Sequence, residues 1–278
     1  MECPQRVAFL VVSTNRFNDN MASISNNEIK RVKSLQQKKF RDYEGLFIAE
    51  GEKMVEEALR SGYHVEQVYR KEDIGEEAMK RISALASPSP VLAVIRKPED
   101  ILLDDFSGVL SSMSEGGLYL ALDTIRDPGN LGTILRIADW FGIDAVFATK
   151  DTVDVFNPKV VQATMGAVFR VKMHYLDLPQ LSKAMLDMGG KVYGTFLDGQ
   201  NIYSRPLDTG EKAPVMIVIG NESEGISKSM QPLVSDRLYI PPYPVGDPGS
   251  ESLNAAVATA VTVAEFRRRI HNCVSNNA

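Results

Sequence analysis

The chain has 278 residues, a formal net charge of −5, 44% apolar and 24% charged residues, the balance of an ordinary globular protein with room for one large domain or two. That charge argues against a uniformly basic, nucleic-acid-coating surface while allowing a local basic face, and no uncharged run is long enough for a membrane span. Two cysteines near opposite ends (Cys3, Cys273) suggest no disulfide framework, and three scattered histidines (His64, His174, His271) argue against a metal cluster, so the composition reads as cytoplasmic and metal-free.

In chain order, residues 1–24 read as a mobile extension, with Met21 as an alternative start. Residues 27–41, NEIKRVKSLQQKKFR, place Ile29, Val32, Leu35 and Phe40 on one helical face. Lys30, Arg31, Lys33, Lys38, Lys39 and Arg41 then fall on the other, against Glu28 alone. A solvated helix face explains such a run; a phosphate-contacting face is the sharper reading. A strand over 45–49, a helix over 50–61, a strand over 65–69, a helix over 76–86 and a strand over 91–95 complete a small α/β unit spanning 25–106. Residues 107–117, rich in Ser and Gly, read as a linker.

From 118 to 278 strands and helices alternate. Strands are expected over 118–122, 145–148, 168–173, 192–196, 215–219 and 237–240. Helices are expected over 131–141, 158–164 and 179–188, briefly after Gly225, and over 253–269. Near-continuous apolar strands alternating with helices predict an α/β fold with a mainly parallel sheet covered on both faces, and ligands in such folds sit at the carboxyl ends of the strands. The last helix carries no ionisable residue from Leu253 to Ala264, the composition of an interior or a subunit interface.

Three polar loops follow strands. The first, Asp123 to Asn130, leads into a helix carrying Arg136, whose Asn130 suits an N-cap. In the second, Gly220-Asn221-Glu222-Ser223-Glu224-Gly225, two glycines permit a tight turn and close backbone approach, and Glu222 could cap a following helix. In the third, Ser252 and Asn254 open the last helix behind the Pro/Gly-rich run Pro241 to Gly249. Each loop taken alone is explained by capping; the three together favour a site. Neither G-x-G-x-x-G nor G-x-x-x-x-G-K-[ST] occurs, which weakens a nucleotide-cofactor oxidoreductase. No Ser-His-Asp or Cys-His set assembles.

In order along the chain, Asp127-Pro128-Gly129-Asn130-Leu131-Gly132 with Arg136, then Val218-Ile219-Gly220-Asn221-Glu222-Ser223-Glu224-Gly225-Ile226, then Ile240-Pro241 with Glu251-Ser252-Leu253-Asn254 resemble the three motifs of the SpoU family of RNA ribose 2′-O-methyltransferases, within the SPOUT superfamily. Residues 32–59 more loosely resemble that family's ribosomal-protein-like substrate-binding domain. Pro242 stands where methionine is often found, and Thr164 where serine is commoner. The resemblance implies S-adenosylmethionine as donor, a ribose 2′-hydroxyl as acceptor, a C-terminal trefoil knot and a homodimer. By position it implies catalytic roles for Asn130, Arg136, Glu222, Ser252 and Asn254, and cofactor contacts at Gly194, Thr195, Gly220, Ile240 and Leu253. It makes the basic residues of 30–41 an RNA contact, with ribosomal RNA favoured over transfer RNA. A catalytically silent RNA-binding or ribosome-assembly factor is the alternative of a different class.

Overall fold

The computed structural model describes residues 24–113, 116–207, 213–244 and 252–276. Ser25 opens α1 (Asn26–Ser34), its hydroxyl accepting the Glu28 N–H at 3.1 Å. The single helix expected over 27–41 is two: the chain turns after Ser34 and restarts as α2 (Lys38–Glu44). Arg41 holds that turn. Its Nη1 donates to the carbonyls of Leu35 and Gln36, both at 2.9 Å, serving acceptors that the end of α1 leaves open.

The first unit continues through β1 (Leu46–Glu50), α3 (Glu52–Arg60), β2 (Val65–Arg70), α4 (Lys71–Ile74), α5 (Glu76–Ile82) and β3 (Val91–Arg96). Its antiparallel sheet has the order β1-β3-β2. Strand alternation splits the sheet's two faces. Leu46, Ile48, Leu92 and Val94 pack on Ile29, Val32, Leu35, Met79 and Ile82 of the helical face. Phe47, Ala49, Ala93 and Ile95 point the other way, into a core shared with the second unit. Residues expected as a linker over 107–117 include a helix, α6 (Ser107–Ser112), with Val109, Leu110 and Met113 packed into an apolar cluster of the second unit.

The second unit comprises β4 (Leu118–Leu122), α7 (Pro128–Trp140), β5 (Ala145–Ala148), α8 (Pro158–Thr164), β6 (Met173–Tyr175), α9 (Leu178–Asp187), β7 (Lys191–Asn201), β8 (Val215–Ile219), β9 (Asp236–Tyr239) and α10 (Ala255–Asn276). All six strands are parallel, in the order β6-β5-β4-β8-β7-β9. From β4 the chain winds one way to β5 and β6, while β8, β7 and β9 lie on its other side. The carboxyl ends of β4 and β8 therefore flank the point where strand order reverses, the place where such sheets form a crevice.

Two further expected elements differ. The strand expected over 168–173 is a 3-10 turn, Ala167–Phe169, followed by the shorter β6. Its apolar side chains fill the junction between the units: Phe47 packs on Phe156 and Phe169 at centroid distances of 4.5 and 6.4 Å, and Tyr63 on Phe169 at 5.4 Å. Burial there pushes the Tyr63 hydroxyl up to about 12. The helix expected after Gly225 is absent, and only a 3-10 turn, Gln231–Leu233, follows. The Pro-rich segment beyond Pro244 lies outside the described residues, and with it the path into α10 on which a knot depends. Residues 1–23 also lie outside them.

Candidate active site

The loop after β4 is shaped by Asp127, not by Asn130. The Asp127 carboxylate accepts the Asn130 N–H at 2.7 Å and caps α7, with Pro128 in the first turn. The expected capping role of Asn130 is therefore already filled, and its side chain is free for other work. Behind the loop, buried Asp123 accepts the Ser227 N–H at 2.7 Å, tying the ends of β4 and β8 together. Thr124 between them has a φ of 64°, uncommon for a β-branched residue.

The loop after β8 is closed by two backbone bonds of 2.9 Å between Asn221 and Gly225. A Cβ on Gly220 would lie 2.3 Å from the Gly225 carbonyl carbon and 2.4 Å from the Ile226 nitrogen, so this closure requires glycine. The Asn221 amide donates to the Thr124 carbonyl at 2.8 Å, and its oxygen accepts the N–H groups of Ser223 and Glu224. Glu222 caps no helix; it projects from the turn instead. The third loop delivers Asn254, whose Oδ1 accepts the N–H groups of Ala256 and Val257 at 2.9 and 3.3 Å and starts α10.

These three loops meet in one hydrogen-bonded line. Asn254 Nδ2 donates to Asn130 Oδ1 at 2.8 Å, and Asn130 Nδ2 donates to Glu222 Oε1 at 2.8 Å. The residues are 124 and 92 positions apart in sequence. Beside the line lies a cleft of about 630 Å³ lined by Thr195, Gly220, Glu222, Ile240, Ser252 and Leu253 among others, a size suited to a small-molecule ligand. Phe196 adds an aromatic wall, with the Arg237 guanidinium stacked over it at 3.5 Å. Arg237 also bonds to Asp198 and holds that carboxyl below the usual carboxylate range.

Not every expected residue joins the cleft. Gly194 is buried and does not itself line the cleft: a Cβ there would lie 2.7 Å from Phe196, 2.8 Å from Ile226 and 3.1 Å from Val234, all side-chain atoms, and Phe196 and Ile226 do line it. Arg136 is exposed on α7, roughly 9 Å along the helix axis from Asn130; it has no ion pair among the described residues. The basic residues of 30–41 separate. Lys30, Lys33 and Lys39 are exposed and pair with no carboxylate among the described residues, whereas Lys38 pairs with Asp42, and Arg31 with Glu28, Glu44 and Glu66. Arg41 is 1% exposed and pairs with Asp154 at 2.6 Å, so it is not available as an RNA contact. Sequence reasoning passed over Asn221 and Asp123, which brace the β4 and β8 loops; Asn221 stands inside the Gly220–Gly225 motif and could have been found there.

The SpoU rRNA Methylase family model matches residues 117–264, and the MRM3-like substrate binding domain model matches residues 26–97. A Bacillus subtilis 23S rRNA (guanosine(2553)-2′-O)-methyltransferase is 30% identical over 260 residues, covering 88% of this chain and 98% of that protein. A TrmH-family structure from Porphyromonas gingivalis superposes with a TM-score of 0.76 at 37% identity, over 89% of this chain and all of the other. An AdoMet-bound rRNA methyltransferase from Sinorhizobium meliloti superposes with a TM-score of 0.77 at 28% identity, over 89% and 96%.

Proposed function

The chain belongs to the SpoU rRNA methylase family and is an S-adenosylmethionine-dependent RNA 2′-O-methyltransferase; on that premise we propose that its substrate is large-subunit ribosomal RNA. The catalytic part of this reading is carried by the Asn254–Asn130–Glu222 line beside a ligand-sized cleft at the carboxyl edge of a parallel sheet, and the substrate by the 23S rRNA methyltransferase relative that matches along nearly its whole length. The residues fit the donor. Thr195, Gly220, Ile240 and Leu253 offer mostly backbone groups and apolar surface, and Phe196 a flat wall. S-adenosylmethionine supplies an electrophilic methyl group on a sulfonium. The chain's own task is to place a ribose oxygen in line with it, and positioning of this kind can contribute several kcal/mol.

Asn130, Ser252 and Asn254 orient the ribose and the catalytic loop. Arg136 supplies a fixed positive charge for a neighbouring phosphate or the developing alkoxide. The RNA approaches over Lys30, Lys33 and Lys39, and exposed Tyr43, one turn from Lys39 on α2, adds a stacking surface. The protein acts in the cytoplasm as a homodimer. Support for the dimer comes from α10, which buries Ala256, Thr259, Val263 and Phe266 but leaves Val257 49% exposed, and from Trp140, 85% exposed at the end of α7. The trefoil knot belongs to the same reading.

Transfer of labelled methyl from S-adenosylmethionine to purified RNAs, followed by mapping of 2′-O-methyl positions, tests the proposal. Incorporation into large-subunit ribosomal RNA is expected, with most kcat lost in Arg136→Lys. Incorporation into transfer RNA alone would overturn the substrate. Binding of both ligands without transfer would leave a silent RNA-binding factor.

A further inference from the structure

The line of amides that ends at Glu222 has a direction, and the direction has chemical content. Backbone N–H groups can only donate, so the two that Asn254 Oδ1 caps at the start of α10 fix which end of that amide faces away from Asn130. Asn254 must then present its NH2 group, Asn130 must answer with oxygen, and Asn130 in turn must present its own NH2 group to Glu222. A donor arrives at Glu222 Oε1, which satisfies a carboxylate and leaves Oε2 without a partner among the described residues. Glu222 is thus held by one oxygen and open at the other, on the wall of the cleft, with no cation paired to it among the described residues.

Methylation of a hydroxyl requires a proton acceptor. Arg136 is a poor one, since a guanidinium carries five donors, no acceptor, and a proton it does not release in the ordinary pH range. The described residues lining the cleft include no histidine, lysine or cysteine. They include two carboxylates, Glu222 and Glu224. Glu222 is held by Asn130, itself oriented by Asn254, whereas the Glu224 carboxylate has no partner among the described residues to aim it.

We propose that Glu222 is the general base of the reaction, taking the proton of the attacking ribose 2′-hydroxyl on its free oxygen. The 2′-oxygen-to-carbon bond forms as the sulfur-to-carbon bond of S-adenosylmethionine breaks. The hydroxyl proton passes to Glu222, and the sulfonium leaves as the neutral thioether S-adenosylhomocysteine. Asn130 and Asn254 act as positioning residues through Glu222. This inference rests on the methyltransferase reading and is tested separately from it.

Glu222→Gln keeps an oxygen for the Asn130 amide and removes the basic site. Its kcat is expected to fall by about a hundredfold or more, with calorimetric affinity for S-adenosylmethionine and the KM for RNA unchanged. In Glu222→Ala, added formate should restore part of kcat, and the Gln variant should not respond. A wild type that methylates RNA beside a Gln variant with near-normal kcat overturns the inference and leaves the methyltransferase reading standing. So does a loss in both variants that formate does not repair, or one explained by lost S-adenosylmethionine binding. A wild type that methylates no RNA overturns the reading beneath.

Discussion

At the scale of single residues, the site is a matter of which amide end faces which neighbour. Asn254 has two duties that one substitution separates. Asn254→Asp keeps the oxygen that caps α10, and Asn and Asp are nearly equivalent as caps. It removes the NH2 group that orients Asn130. Thermal stability should therefore stay close to wild type while kcat falls, as measured by calorimetry beside single-turnover methylation; a variant that loses stability and kcat together would show that capping alone is at stake. Residue types were legible in the sequence here, because Asn130, Glu222 and Asn254 sit in polar loops after apolar strands. Their division of labour was not. Asp127 and Asn130 are both good caps three positions apart, and only the folded loop decides that Asp127 takes the cap and releases Asn130. Gly194 is ambiguous for a related reason: a glycine beside a ligand loop and a glycine under a packed aromatic ring look identical in one dimension.

At the scale of elements, α7 has to approach α8 closely for its first turn to point at β8. Gly132 makes that approach possible. A Cβ there would stand 2.4 Å from the Ala163 Cβ, 3.0 Å from the Ala163 carbonyl carbon and 3.1 Å from the Val160 oxygen. Much of that obstruction is backbone, which cannot swing aside as a side chain does. Gly132→Ala should cost about 1–3 kcal/mol, as overpacked cores do, despite the better helix propensity of alanine. Chemical denaturation would measure it, and an unchanged or raised midpoint would refute close packing as the reason for this glycine. The central strands were legible because Leu118–Leu122 and Val215–Ile219 are apolar without interruption and flanked by breakers. Residues 168–173 show the limit of that signal. Their apolar run serves a junction between units, and periodicity cannot tell a strand core from an interface.

At the scale of the whole molecule, the function requires the first unit to stand in a defined place relative to the cleft. An aromatic cluster and ion pairs hold it there. Arg170 reaches from the second unit to Glu57 of the first, and the buried Arg41 reaches Asp154, 113 residues away. No local pattern could reveal that partner, so a basic run read as an RNA face contains one arginine that turns inward. Removing one member of a buried pair leaves the other charge unsolvated and costs about 3–5 kcal/mol, whereas apolar replacement of both is far milder. Asp154→Asn should therefore destabilise the chain strongly, and Arg41→Met with Asp154→Leu should recover part of the loss, apart from the two carbonyl bonds Arg41 makes at the α1–α2 turn and the Phe156 N–H bond that Asp154 accepts. Denaturant midpoints of the two variants decide this. If Arg41–Asp154 also sets the angle between the units, the double variant should keep its affinity for S-adenosylmethionine, whose cleft lies wholly in the second unit, and show a raised KM for RNA. A double variant with wild-type KM would mean that the aromatic junction alone fixes the geometry and that the ion pair contributes only stability.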